Sequence, residues 1–313
     1  MIQLITEELD ITSDKIIEWI LFLGYNVERN NVETYSDFTF EINDKSIEGL
    51  SDNTFHRRAK LNTFPDELNF FPYKNEIRLD DNLILKAWEK ISKNEGKYIG
   101  EFTDEEQHNK ILDLYFARKT GFNIPDTLVT NNKTKLIEFI SRNGGKIITK
   151  SIKNPIQIED DYFVAIGRET MLLELNELDT LNDNFNLCLF QKFIDKIFEV
   201  RVFVYEDKMF SMAIFSDNKG SEQIDFRIAT SEMPKRYIPF SLPLTIQKKI
   251  KKFFKIKSIN TGSIDLIVDA NNTFYFLENN CQGQFDWVSV YCNYNIEKYI
   301  AFDLIQNEKS IQK

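Results

Sequence analysis

The sequence predicts an α/β protein made of α+β lobes, because two hydrophobic periods alternate along it. Strand-like runs alternate with helix-period segments in the first half, and short strands separated by turns dominate the second. Composition agrees: apolar residues make up 42% of the 313 and charged residues 28%, the balance of a soluble globular protein. With 27 Phe, 12 Tyr and 3 Trp, the chain can bury a sizeable core. At roughly 100–200 residues per domain, the length allows about two or three domains.

Residues 1–6 form a short apolar run that reads as a strand. Thr12-Ser13-Asp14 starts a helix in which Ile16, Ile17, Trp19, Ile20 and Phe22/Leu23 recur at helical spacing, and Gly24 ends it. Residues 25–29, 37–42 and 54–58 read as further strands, and 83–91 as a helix. The polar, glycine-containing stretch 92–104 reads as a linker. Beyond it, 109–120 is an amphipathic helix carrying Ile111, Leu112, Tyr115 and Phe116, stopped by Gly121. A strand through Leu128 and Val129 follows. Asn132 caps a helix with Leu136, Ile137, Phe139 and Ile140 that closes at Gly144-Gly145. Lys146-Ile147-Ile148-Thr149-Lys150 is then a strand ending in a cation. Strands are expected at 161–164, 187–191, 199–204 and 208–214, a helix at 244–254, strands at 263–268 and 273–278, and a last helix from about Ile296.

Charge and the rarer residues narrow the function. Asp plus Glu number 49 against 39 Lys plus Arg, a net charge of -10, which makes the chain a poor candidate for gripping nucleic-acid phosphates. The lysine-rich stretch 248–257 lies in a segment where Ile246, Ile250, Phe253 and Phe254 form one apolar stripe, so its lysines are expected in water. No apolar run approaches the roughly 20 residues of a membrane span, and Met1 leads straight into a strand without a signal peptide. Neither a membrane nor secretion is expected. Cys188, Cys281 and Cys292 are few, odd in number and not spaced as a zinc site, which fits a reducing cytoplasm. Cys188 and Cys281 read as small buried hydrophobes. With only His56 and His108, a multi-histidine metal site is excluded and histidine acid–base chemistry is not expected.

The most informative segment is Gly262-Ser263-Ile264-Asp265-Leu266-Ile267-Val268, a turn, and Phe274-Tyr275-Phe276-Leu277-Glu278-Asn279-Asn280. In an antiparallel hairpin Asp265 and Glu278 can face each other, and Glu278 and Asn280, two apart, share a face. Two carboxylates and an amide oxygen are hard ligands suited to Mg²⁺. Taken alone, the hairpin is better explained by an ordinary polar strand face.

Upstream residues alter that balance. Lys150 ends a strand, Phe190-Gln191-Lys192-Phe193-Ile194 reads as a hinge between lobes, and Glu199 and Arg201 share one strand face. The order of cation, apolar hinge, Glu-x-Arg strand, and Asp and Glu-x-Asn carboxylates resembles the ATP-grasp fold. Within that fold, Leu4-Ile5-Thr6 with Asp10 and Thr12, Arg57-Arg58, Glu199-Val200-Arg201, Asp225-Phe226-Arg227 and Glu278-Asn279-Asn280…Gly283-Gln284-Phe285 look like the peptide macrocyclases of the graspetide (microviridin-type) family. Arg236-Tyr237-Ile238-Pro239-Phe240-x-Leu242-Pro243 and Cys292-Asn293-Tyr294…Glu297-Lys298-Tyr299-Ile300-Ala301 look most like its grasp-with-spasm branch. The resemblance covers essentially the whole chain. Two departures stand out: Cys281 where proline is expected, and Asp217 where glutamine is expected.

The resemblance implies an N-terminal pre-ATP-grasp domain at 1–103, a central lobe at 104–189 and a C-terminal lobe at 190–313. It implies ATP and Mg²⁺, two ions being expected, and an ester or amide linkage made within a precursor peptide through an acyl phosphate. Asp265, Glu278 and Asn280 would hold the metal. Lys150, Gln191, Lys192, Phe193, Glu199, Arg201 and Asn280 would bind the nucleotide. Arg201, Asp225 and Arg227 would serve the chemistry; by position alone, Asp225 and Arg227 read equally well as an exposed ion pair. Expected partners are the precursor's leader and core and a SPASM-domain protein, with homo-oligomerisation. A small-molecule carboxylate–amine ligase and an inactive ATP-grasp peptide-binding module are the competing functions. The role of Arg57-Arg58 does not follow from the sequence.

Overall fold

The opening apolar run becomes the centre of a parallel sheet. The computed structural model describes residues 1–106, 108–152, 157–159, 164–166, 170–216 and 235–311. Along the chain, strand Ile2–Thr6 (β1), helix Ile11–Phe22 (α1) and strand Val27–Asn31 (β2) are followed by a small hairpin of Glu41–Ile42 (β3) and Ile47–Glu48 (β4). Strand Asn53–His56 (β5), helix Lys74–Glu95 (α2) and strand Lys97–Ile99 (β6) complete this region. The sheet order is β2-β1-β5-β6, all parallel. Both faces of β1 are covered: Ile2 and Leu4 join one core with Ile16 and Ile20 of α1, while Ile5 meets Trp88 and Tyr98 on the other side. That two-sided burial explains why β1 reads as a continuous apolar run rather than an alternating one.

Several expectations change here. Residues 92–104 are not a linker: α2 runs to Glu95, β6 is the edge strand of the sheet, and Phe102–Glu106 is a short helix (α3). Tyr98 and Ile99 supply the apolar contacts that a three-residue strand needs. Glu89 fixes the following turn by accepting from the Phe102 N–H at 2.8 Å and the Thr103 hydroxyl at 2.6 Å. The helix expected at 83–91 is the middle of a longer one, and the strand expected at 37–42 shrinks to Glu41–Ile42. The strand expected at 54–58 stops at His56, because the chain turns through Ala59 at φ 44.

The central region comprises helix Lys110–Lys119 (α4), strand Thr127–Asn132 (β7), helix Lys133–Arg142 (α5) and strand Lys146–Lys150 (β8). A small antiparallel pair, Gln157–Glu159 (β9) with Val164–Ile166 (β10), precedes Thr170–Glu174 (β11) and Asn184–Lys192 (β12). The strand expected at 161–164 falls mostly outside the described residues. Antiparallel β11-β8-β12-β7 packs on α5 through Leu136, Phe139, Ile140, Ile147 and Phe190. The boundary set at 189/190 lies inside β12, whose residues 190–192 still pair with β8, so the change of sheet comes after Lys192.

The last region holds strands Lys196–Tyr205 (β13), Lys208–Phe215 (β14) and Arg236–Pro239 (β15), helix Leu244–Lys257 (α6), strands Thr261–Asp269 (β16) and Phe274–Asn280 (β17), and helices Asp286–Cys292 (α7) and Ile296–Ile311 (α8). Its antiparallel order is β15-β14-β13-β16-β17. Alternation divides β13 into two functions. Val200, Val202 and Val204 join Ile264, Leu266 and Val268 against α4 and α6, with the α6 stripe buried and its lysines outside as expected. On the opposite face, Phe203 and Tyr205 pack with Ile2, Leu4 and α8, whereas Glu199 and Arg201 open onto a cleft.

Gly100 gives a test of the revised reading. Its φ is +84, and an added Cβ would lie 2.0 Å from the His56 carbonyl oxygen. Gly100→Ala should therefore destabilise the protein by about 2–3 kcal/mol in urea denaturation. Limited proteolysis should leave the segment from the end of α2 through β6 uncut, since its backbone is paired within a sheet.

Candidate active site

A cleft of about 420 Å³ lies between the central and C-terminal sheets. The central side contributes Ile148 and Lys150 from β8, Thr170 from β11 and Lys110 from the start of α4. The C-terminal side contributes Glu199 and Arg201 from β13, Asp265 from β16, and Leu277, Glu278 and Asn280 from β17. Lys235, Tyr237, Gln284 and Trp287 complete the lining.

A one-residue slip in the last hairpin makes this lining possible. Asp265 stands directly opposite Glu278, but the next pair is Leu266 with Phe276, leaving Leu277 as an extra residue. In regular alternation Glu278 would share the face of Phe276, which is fully buried in the core. The bulge turns the strand so that Phe276 stays in the core while Leu277 and Glu278 both line the cleft. Glu278 and Asn280 then lie on the same side, opposite the buried Asn279.

Charges in the cleft are closely paired. Arg201 Nη1 donates to both Asp265 oxygens, at 2.6 and 2.9 Å, and Nη2 reaches the Gln284 carbonyl at 3.5 Å. Arg201 Nε is buried with no hydrogen-bond partner among the described residues, so the guanidinium retains an unused donor. Lys110 Nζ lies 3.2 Å from a Glu278 oxygen and donates to the Ser151 carbonyl at 3.1 Å, spanning the cleft. Lys196 forms a buried pair with Glu199 at 2.6 Å. Among the described residues no three His, Cys, Asp or Glu are grouped to hold a metal. The donor set is instead two carboxylates and the Asn280 amide, the hard oxygen chemistry that Mg²⁺ takes when it keeps other ligands from water and phosphate. Asn280 Oδ1 also accepts from the Gln282 N–H at 3.1 Å, which fixes the direction of that amide.

Of the residues expected to act, Lys150, Glu199, Arg201, Asp265, Glu278 and Asn280 come together in this cleft. Gln191, Lys192 and Phe193 are not among its lining: the Gln191 side chain is buried and donates to Thr127 Oγ1 at 3.1 Å, and Lys192 is exposed. Asp225 and Arg227 lie outside the described residues. Sequence reasoning missed Lys110, Lys196, Lys235 and the apolar pair Ile148 and Leu277. Lys110 carried one legible signal, since a cation in the first turn of a helix opposes the helix dipole and implies another use. Cys188 and Cys281 are half-buried rather than buried as expected, and Cys281 accepts from Asn279 Nδ2 at 3.2 Å. Cys292 is the buried one, and burial raises the thiol of Cys188 and pushes that of Cys292 up to about 11.

Solved structures of known proteins share this fold. No protein-family profile and no curated protein matches the sequence. Among solved structures, a RiPP-associated ATP-grasp ligase of Chryseobacterium gregarium, in complex with ADP and a leader and core peptide, is 25% identical; the match covers 97% of this chain and 96% of that one, with a TM-score of 0.76. The macrocyclase MdnC from Microcystis aeruginosa MRC, bound with precursor peptide MdnA, is 24% identical over 98% of this chain and 99% of its own, at TM-score 0.74. The ATP-grasp ligase PsnB, complexed with minimal precursor, Mg and ADP, is 15% identical over 98% and 96% of the two chains, at TM-score 0.75. The chain has the ATP-grasp fold, in the form that these ligases and macrocyclases share along their whole length.

The Arg201–Asp265 pair is nearly enclosed, with side chains 6% and 14% exposed. Arg201→Met should cost about 3 kcal/mol of stability by removing the charge-assisted bonds that the buried arginine makes to Asp265. Arg201→Met combined with Asp265→Leu should recover much of that loss, read as urea midpoints on one series.

Proposed function

We propose that this ATP-grasp ligase uses ATP and Mg²⁺ to join side chains within a ribosomally made precursor peptide. The observation that carries the reading is the bulged hairpin, which sets Asp265 and Glu278 opposite Lys110, Lys150 and Arg201 in the cleft of this fold. Support for a peptide substrate comes from the similar ligases, whose structures contain leader and core or precursor peptides.

Ile148 and Leu277 offer apolar surface from the two sides of the cleft, suited to a base, while Lys110, Lys150 and Arg201 offer charge for a triphosphate. Asp265, Glu278 and Asn280 would hold magnesium, which supplies charge neutralisation and a template for phosphate oxygens. When phosphates are bound, Arg201 and Lys110 can pass from carboxylate to phosphate partners, which frees the carboxylates for the metal. The Lys196–Glu199 pair fixes the Glu199 carboxylate, ready to accept from ribose hydroxyls. The backbone of Gln191–Phe193 and the Lys192 side chain are assigned to the adenine edge.

In the reaction, a carboxylate of the peptide attacks the γ-phosphorus, forming an acyl phosphate and releasing ADP. A Ser or Thr hydroxyl, or a Lys amine, of the same peptide attacks the acyl carbon, phosphate leaves, and the nucleophile's proton passes to a base. Phosphorylation supplies the leaving group that direct condensation lacks. Arg227 is assigned to the acyl phosphate and Asp225 to the acceptor's proton, on the Asp-Phe-Arg motif. The motifs at 236–243 and 292–301 support the grasp-with-spasm branch, with a SPASM-domain protein as partner and a homo-oligomer as the working assembly. The proposed domain division is 1–103, 104–189 and 190–313, with β12 continuing the central sheet to Lys192.

The test is incubation of the full chain with ATP, Mg²⁺ and any short peptide rich in Ser/Thr/Lys and Asp/Glu found encoded beside its gene, followed by mass spectrometry. Each ring should remove one water. Glu278→Gln and Asp265→Asn should abolish the mass loss while retaining native circular dichroism; ring yields like wild type would sink the metal assignment. Lys110→Met should weaken ATP-analogue binding by about tenfold in calorimetry, as expected for one lost charge-assisted contact.

A further inference from the structure

Residues from the N-terminal sheet that the nucleotide chemistry leaves unused converge on one turn, the segment between β17 and α7. Asp10 accepts from the Thr6 hydroxyl at 2.8 Å and the Ser13 hydroxyl at 2.7 Å, and stands 3.7 Å from Arg57 Nε. Arg57, 4% exposed, donates through Nη1 to the Gln282 carbonyl, and its guanidinium lies 5.6 Å from the centre of the Phe285 ring. Arg58 donates to Gln282 Oε1, and Gln282 Nε2 donates to Glu105. Glu105 in turn accepts from the Ala59 N–H at 3.1 Å, closing the circuit on the arginine loop. Both polar ends of the Gln282 side chain and its carbonyl are therefore held from the N-terminal side.

The remaining polar group of Gln282, its N–H, donates to Asn280 Oδ1. Gly283 completes the turn at φ +55, donating to the Asn280 carbonyl at 3.0 Å, and a Cβ there would meet the Phe203 ring at 2.8 Å. Burial would raise the Asp10 carboxyl, but Arg57, Ser13, Thr6 and Arg58 together hold it below its ordinary value. Burial lowers the Arg57 guanidinium to about 10, with Asp10 opposing, so both groups are ionised at neutral pH. The circuit is charged, buried at Asp10 and Arg57, half-buried at Arg58, Glu105 and Gln282, and aimed at a residue of the cleft.

We infer that Arg57 and Arg58 are positioning residues, which hold Gln282 so that its N–H orients the Asn280 amide oxygen toward the magnesium site. This rests on the proposed role of Asn280 as a metal ligand. Outer partners of metal ligands fix their direction, and removing them costs metal affinity rather than general binding. The N-terminal sheet is thereby part of the metal site, although none of its residues lines the cleft.

The test compares Arg58→Gln, Gln282→Ala, their double variant and Arg58→Lys with wild type. One measurement is calorimetric affinity for ADP with and without Mg²⁺; another is amide hydrogen exchange at residues 281–285 without ligand. Arg58→Gln should reduce the Mg²⁺-dependent gain in ADP affinity about tenfold. It should leave Mg²⁺-free ADP affinity unchanged and speed exchange in the turn. Gln282→Ala should do the same, the double variant should add little because both remove one contact, and Arg58→Lys should restore most of the effect. Wild-type Mg²⁺ dependence in Arg58→Gln, equal losses with and without Mg²⁺, or additive losses would each overturn the inference. Asn280→Ala separates the two levels: if it keeps the full Mg²⁺ gain, the metal assignment fails and takes this inference with it, whereas its loss beside an unaffected Arg58→Gln refutes the inference alone.

Discussion

The extra residue in the β16–β17 hairpin is the constraint on which the cleft depends. A strand in regular alternation sends every second side chain to the same face, so a buried Phe276 would carry Glu278 into the core with it. Burying a carboxylate among Phe253, Ile264 and Leu266 would be prohibitive without a partner. Leu277 absorbs the conflict. The strand contributes Phe276 to the core on one side of the slip and Leu277, Glu278 and Asn280 to the cleft on the other. Apolar packing on α4 and α6 and a carboxylate opposite Asp265 thus coexist in seven residues.

The charges that result are kept in balance by the surroundings. Asp265 has Arg201, Glu278 has Lys110, and Glu199 has Lys196. Each acid is matched, so the cleft is tolerable to the fold without any ligand. The cations come from both sides: Lys110 and Lys150 from the central elements, Arg201 and Lys196 from β13.

What could be read from the sequence was local. Glu199 and Arg201 on one strand face, Asp265 across from Glu278, Lys150 at a strand end and the buried stripe of α6 all follow from periods of two or 3.6 within short windows. What escaped was set by partners distant in sequence. β6 carries only Tyr98 and Ile99 as apolar residues and reads as a linker, since its pairing with β5 is invisible from its own composition. The bulge depends on two strands at once. Lys110 enters the cleft from a helix start far from the hairpin it meets. The Arg57-Arg58 pair was recognisable as a motif, but its partner Gln282 is at the other end of the chain.

The same nonlocality governs when the protein can fold during its own synthesis. The core beneath β1 draws Ile2, Leu4 and Phe55 together with Phe203, Tyr205, Ile300 and Leu304. Asn53 donates its amide to the Leu304 carbonyl at 2.7 Å, and Lys97 and Tyr205 both meet Asp303. A ribosome emits β1 and α1 long before the helix that covers them, α8. Until then the parallel sheet presents an open apolar face, and contacts of such long sequence separation form slowly. Folding of the N-terminal sheet is therefore finished only when translation has passed the cleft's own strands, so the sheet and the cleft mature together.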